Sequence, residues 1–216
     1  MVAAPSLPQS TEIVPRLHNG DHLDRFEFHR RYLAEPEGTR AELIEGIVYL
    51  SSPVSTNNHG QPHYDIITWL GVYSASTLGA VRGADNATVH LDFDNDVQPD
   101  VFLRYVVGGT SQLVAGYIQG PPELVVEVAA SSASIDRHRK MEAYRRNGVS
   151  EYIIWRTEDA EIDWFVLERG EYVPLAPGAD GVIASRVFPG LRLAVDKFLA
   201  GDLQGVLTEQ MRGSST

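Results

Sequence analysis

Apolar positions along this chain fall into two periods, and the switches between them predict helices and strands in alternation. Asp21 or Asp24 caps a predicted helix that runs to about Ala34, with Phe28, Tyr32 and Leu33 on its inner face. Glu35-Pro36-Glu37-Gly38 ends it. Leu43, Ile47 and Tyr49 alternate with polar neighbours around Glu45-Gly46, which predicts two short strands or one bulged hairpin. After a loop from Ser52, a helix is expected from about Pro62 to Leu78, with Ile66, Ile67, Trp69, Leu70 and Tyr73 as its apolar stripe. Strands are predicted at 87–92 and 99–106, on either side of the acidic turn 92–96. Val107 to Gly120 is punctuated by glycine and reads as a long, mobile loop beside a site. EYIIWR, EIDWFVLE and GEYVPLA then alternate polar and apolar residues, predicting an antiparallel meander. VFPGLRLAVDKFL supplies a short strand and helix, and Asp202 to Met211 a terminal helix.

The stretch from Pro122 to Tyr144 breaks this regularity. Leu124-Val125-Val126-Glu127-Val128 is apolar and β-branched enough to predict a strand buried on both faces, yet it contains a carboxylate. An acid there costs several kcal/mol unless it is paired, hydrogen-bonded, protonated or metal-bound. Ser132 or Ser134 can cap the helix that follows, and Asn147-Gly148 can stop it. Asp136, Lys140 and Tyr144 lie four apart; each step of four advances roughly 400°, so the three share one helix face. Pro99-Asp100 places a further acid at the mouth of another predicted strand. Adjacent strands lie about 4.8 Å apart, so Asp100 and Glu127 on one sheet face can share a hard divalent cation such as Mg2+, with Lys140 close by. That combination suits metal-assisted phosphodiester hydrolysis.

Composition narrows the classes. The 216 residues suffice for one well-buried domain, expected at 21–200, with a loose arm at 1–20 and a helix and tail at 201–216. There is no cysteine, which excludes disulfides and leaves only His and carboxylates for a zinc site. No run reaches the roughly 18 apolar residues of a membrane span, and the N-terminal stretch lacks a signal-peptide pattern, so a cytoplasmic protein with no membrane partner is expected. The formal charge of −11 argues against wrapping nucleic acid over the whole surface, without excluding a local basic site. Arg137, Arg139, Lys140, Arg145 and Arg146 form the one dense basic cluster, readable as a solvated face or as substrate contacts at Arg137 and Arg139. Lysine occurs only at 140 and 197 in an Arg-rich composition, which singles out Lys140. His59 and His63, four apart, read as a metal pair or as helix-entry histidines, and the intervening Gly60 and Pro62 favour the second.

QPDVFLRY followed by PPELVVEVAASSASIDRHRKMEAYRRNGVSEYIIW resembles the Uma-two family of restriction-endonuclease-like proteins, in the PD-(D/E)XK nuclease superfamily. The resemblance runs from about Phe26 to Phe198 and includes AELIEG and FPGLRL. It implies an α/β (α+β) fold with a restriction-endonuclease-like mixed β-sheet flanked by helices, a homodimer, and Mg2+-dependent cleavage of DNA with Mn2+ as a substitute. It also implies catalytic and metal-binding roles for Asp100, Glu127 and Glu42, and a catalytic role for Lys140. The usual lysine position of the motif falls at Ala129, and Lys140 on the next helix replaces it. Glu45 is the weaker alternative to Glu42. His59, Asp136 and Tyr144 match recurrent family positions as supporting residues, Tyr144 also reading as packing and Asp136 as a helix cap or Lys140 partner. Ala130 stands where relatives often carry an acid. Two other readings remain open: a non-catalytic dimeric binding or regulatory protein that kept the fold, and a hydrolase of nucleotides or other phosphate esters.

Overall fold

The computed structural model describes residues 13–51, 55–129 and 136–213, with the side chains of Asp136 and Arg137 outside that description. The first element is α1 (Arg25–Tyr32), whose N-cap Asp24 accepts from the Glu27 amide at 2.9 Å. Phe28 is its buried anchor; Leu33, expected on the inner face, instead lies past the last turn and is 64% exposed. The hairpin β1 (Ala41–Ile44) and β2 (Ile47–Leu50) turns through Glu45 and Gly46, both at positive φ (54° and 72°), as a tight two-residue turn requires. A π-helical turn (Thr56–Gly60) leads into α2 (Gln61–Ser76), which buries Ile66, Trp69, Leu70 and Tyr73.

The strands are β3 (Val81–Asp85), β4 (Val89–His90), β5 (Asp96–Val97), β6 (Val101–Tyr105), β7 (Gln112–Val114), β8 (Tyr117–Gln119) and β9 (Leu124–Ala129). A second π-helical turn (Asp136–Lys140) then feeds α3 (Met141–Asn147). After it come β10 (Glu151–Arg156), β11 (Glu161–Glu168), β12 (Glu171–Pro174), β13 (Val182–Ala184) and β14 (Arg192–Ala194). Helices α4 (Val195–Leu199) and α5 (Leu203–Gly213) end the described chain. Further expectations need correction. The segment read as a loop from Val107 folds back as the β7–β8 hairpin, turning through Ala115 and Gly116 at positive φ. Strand β3 was not expected, because VRGAD lies at a sheet edge and carries too little apolar character to announce itself.

Two six-stranded mixed sheets result, ordered β12-β11-β10-β9-β6-β3 and β2-β1-β5-β4-β8-β7, with β13-β14 as a separate antiparallel pair. The expected meander is present as β10-β11-β12, while β10 also pairs in parallel with β9. Alternation along β9 decides what each face meets. Leu124, Val126 and Val128 pack into the cluster that holds α2 and the C-terminal residues Phe188, Leu193 and Phe198. Val125 and Ala129 point the other way, into a cluster with Ile44 of β1, Val89, Val97 and Tyr144. Glu127 shares their face, and in β1 Glu42 shares the face of Ile44. Alternation therefore aims both acids into the seam between the sheets.

Candidate active site

All six residues of β9 are buried, so Glu127 is held at 3% exposure by the apolar strand on either side of it. It is paired there. Its Oε1 accepts from Lys140 Nζ at 3.1 Å and from the Tyr144 hydroxyl at 2.8 Å. Lys140 Nζ also reaches Glu42 Oε2 at 3.0 Å, so one buried ammonium bridges acids from both sheets. The other oxygen of Glu42 accepts from the Gln98 amide at 2.8 Å, fixing β1 against the β5–β6 connection. Lys140 is the last residue of the π-helical turn and Tyr144 lies one helical turn on, which brings both onto the same oxygen. The π-helical turn limits the shared-face argument to Lys140 and Tyr144, because its residues advance less than 100° each. Gly148, at φ 85°, ends α3 in the left-handed conformation, its amide bonding back to Arg145 and Tyr144.

Asp100 enters from the neighbouring strand. In the β6–β9 register Val101 faces Val126, so Asp100 stands one step beyond, opposite Glu127. The separation in sequence hides this, because the β7–β8 hairpin intervenes. Asp100 Oδ2 accepts from the Val128 amide at 2.7 Å, and Oδ1 accepts from His59 Nε2 at 3.1 Å. His63 Nε2 donates to the backbone carbonyl of Asp100 at 2.9 Å. The two histidines thus grip one aspartate by its side chain and its main chain, at the entry to α2. Burial alone would raise the Asp100 carboxyl. The His59 hydrogen bond and charge, Lys140 and the Val128 amide outweigh burial and hold it below its ordinary value. Tyr144 shifts the opposite way: burial, then the nearby Glu127 and Glu42, raise its phenol well above the ordinary value, so it stays an O–H donor.

The other expected residues divide. Glu45 forms a two-pronged pair with Arg146, at 2.9 Å on each oxygen, away from Glu127 and Lys140. Arg145 pairs with Glu142 and Glu171, so with Lys140 and Arg146 three of the five clustered cations are internal partners of acids. Arg139 is exposed, whereas the side chains of Asp136 and Arg137, and residues Ala130, Ser132 and Ser134, lie outside the described residues. Ala129, at the usual lysine position, is buried and offers only its backbone carbonyl, which accepts from Thr157.

Some features were not anticipated. Gln98 and His63 hold Glu42 and Asp100 through a backbone amide and a ring nitrogen, and nothing in their spacing signals it. Among the described residues, the one compact group of His and carboxylate ligand atoms is His29, His90 and Asp96, all within 4.8 Å of one another. The acids around Lys140 are more widely spread, with the ammonium between two of them.

The architecture is that of an α+β protein with mixed sheets flanked by helices. A crystal structure described as "a putative nuclease belonging to DUF820" from Anabaena variabilis superposes with a TM-score of 0.60 at 13% identity, covering 79% of this chain and 96% of that one. No curated protein matches the chain. The Uma2 family, described as "Putative restriction endonuclease", matches residues 26–196, and the chain belongs to that family. No helix among the described residues is long and apolar enough to cross a membrane.

Proposed function

We propose that the chain is a Mg2+-dependent endonuclease hydrolysing DNA phosphodiester bonds, with Asp100, Glu127 and Glu42 as metal ligands and Lys140 as a catalytic residue. The observation that carries this reading is the bridge from Lys140 Nζ to Glu127 at 3.1 Å and Glu42 at 3.0 Å, with Asp100 opposite Glu127, one step beyond the Val101–Val126 pair. Three carboxylates face one ammonium, and a hard dication suits both the excess of acid and the all-oxygen donor set. Mg2+, or Mn2+ in its place, supplies Lewis acidity at a phosphoryl oxygen and a bound water of lowered pKa.

The remaining roles belong to the chain itself. Lys140 keeps a cationic donor beside the attacking water and the charge that develops on phosphate. Tyr144 orients Glu127, and His59 holds Asp100 in the ionised form that a cation requires. Arg139, exposed on the π-helical turn before α3, and Arg137 are assigned to the phosphate backbone. Asp136 is assigned a supporting place on the same turn. A cytoplasmic homodimer is part of the proposal.

One observation favours the alternative of a non-catalytic binding or regulatory dimer: Lys140 already partners both Glu42 and Glu127, so the acids have a counter-charge of their own. Nicking of supercoiled plasmid with Mg2+ or Mn2+ separates the readings. Cleavage that disappears in Lys140→Ala and in Asp100→Ala/Glu127→Ala supports the enzyme; no cleavage by the parent under any divalent cation supports the scaffold.

A further inference from the structure

We infer that His29, His90 and Asp96 form a second metal site, separate from the acids around Lys140, that takes a borderline transition-metal dication of the Zn2+ class. The three come from α1, β4 and β5, and each offers a ligand atom within 4.8 Å of the other two. Asp96 is 1% exposed and His90 8%. His90 Nδ1 and Asp96 Oδ1 share a 2.6 Å hydrogen bond, the carboxylate–imidazole contact that orients metal-binding histidines.

The second observation is what the remaining atoms lack. His29 Nδ1 and Asp96 Oδ2 are both buried, neither has a hydrogen-bond partner, and they face each other at 3.8 Å. That is too long for a hydrogen bond. It suits two ligands of one ion, because Zn–N and Zn–O bonds of about 2.0–2.2 Å place their outer atoms roughly 3.3–4 Å apart. A buried carboxylate oxygen and a buried imidazole nitrogen left unsatisfied side by side are rare in native proteins and call for an occupant. Two imidazoles and one carboxylate favour zinc-class ions, whereas the all-oxygen set at Asp100, Glu127 and Glu42 favours Mg2+.

The site acts as a clasp. Asp96 is the register partner of Leu43, next to Glu42, and His29 belongs to the helix that covers the same strands. An ion there pins α1 to the small sheet and steadies the strand that presents Glu42. The inference does not depend on the nuclease reading.

Thermal unfolding and calorimetry with Zn2+ as the sole added metal test it, on the parent, on His29→Ala, on His29→Gln and on Asp100→Ala/Glu127→Ala. His29 is partly exposed, and circular dichroism verifies that its variants fold. Expected results are one Zn2+ per chain and a rise in Tm of about 5–10 °C at free Zn2+ near 100 times Kd. Both should persist in Asp100→Ala/Glu127→Ala and be lost in each His29 variant. Absence of Zn2+ binding in the parent overturns the inference. So does binding that survives in the His29 variants or vanishes in the acid double variant.

Discussion

Replacing Lys140 with alanine removes one ammonium and leaves two carboxylates facing each other in a dry seam. The side chains of Lys140, Glu127 and Glu42 are 7%, 4% and 14% exposed, so water replaces little of what is lost. At about 3 Å and an effective dielectric of about 20, each Lys–Glu attraction amounts to about 5 kcal/mol before desolvation is subtracted. Desolvation of three charged groups offsets much of that sum. Removing one partner of such a buried pair costs about 3–5 kcal/mol, because the survivors stay buried without compensation. Urea unfolding in metal-free buffer reads this directly, and Mn2+ should restore part of the loss by taking up the freed acids. A Lys140→Ala/Glu127→Ala cycle should give a coupling of about 1–3 kcal/mol. If Lys140→Ala stays within about 0.5 kcal/mol of the parent, the bridge does not hold the two sheets and the argument built on it fails.

Three further perturbations probe the surroundings. Asp100 has a folded pKa below its unfolded value, so its stabilisation is complete above the ordinary carboxylate range and fades as pH falls through the folded value. His59→Ala removes the foremost partner that lowers it, and acid titration followed by circular dichroism should place the unfolding midpoint at higher pH; an unchanged midpoint counts against the pairing. Tyr144→Phe deletes the 2.8 Å hydrogen bond to Glu127 and should cost about 1–3 kcal/mol in chemical denaturation, with the fold intact. Glu151, fully buried at the start of β10, accepts from the Arg186 and Val187 amides, Ser185 and Trp164. Glu151→Ala strands those donors and should lower stability by about 3–5 kcal/mol, the signature being loss of near-UV dichroism at lower urea.

Glu127 was legible in the sequence because an acid in an uninterrupted apolar run demands a partner, and that demand pointed to the basic helix after it. The periodicity of α2 and of the β10-β11-β12 meander was equally readable, since each buries one continuous face. The pairing of Asp100 with Glu127 was only partly so: strand positions could be guessed, but register across the intervening β7–β8 hairpin is set by tertiary contacts. That hairpin itself read as a loop because Leu113 and Val114 are exposed and Gly116 dominates its pattern. The π-helical turns at 56–60 and 136–140 escape any argument built on 3.6 residues per turn. Glu42 could be picked out only through family resemblance: the sequence put Glu45 in the turn before Gly46, but nothing in AELIEG signals that the face carrying Glu42 is covered by a second sheet. His29, His90 and Asp96 share no spacing at all; the order of the small sheet and the packing of α1 bring them together.

Calorimetric titration of Mn2+ into the metal-free protein, beside Asp100→Ala/Glu127→Ala, tests the central claim most directly. The same titration on His29→Ala keeps the His29 group out of the reading. The account predicts a Mn2+ site in the parent that is lost in the double variant, with plasmid nicking lost alongside it. Heats no greater than dilution in the parent, or a Mn2+ site that survives in the double variant, would contradict it.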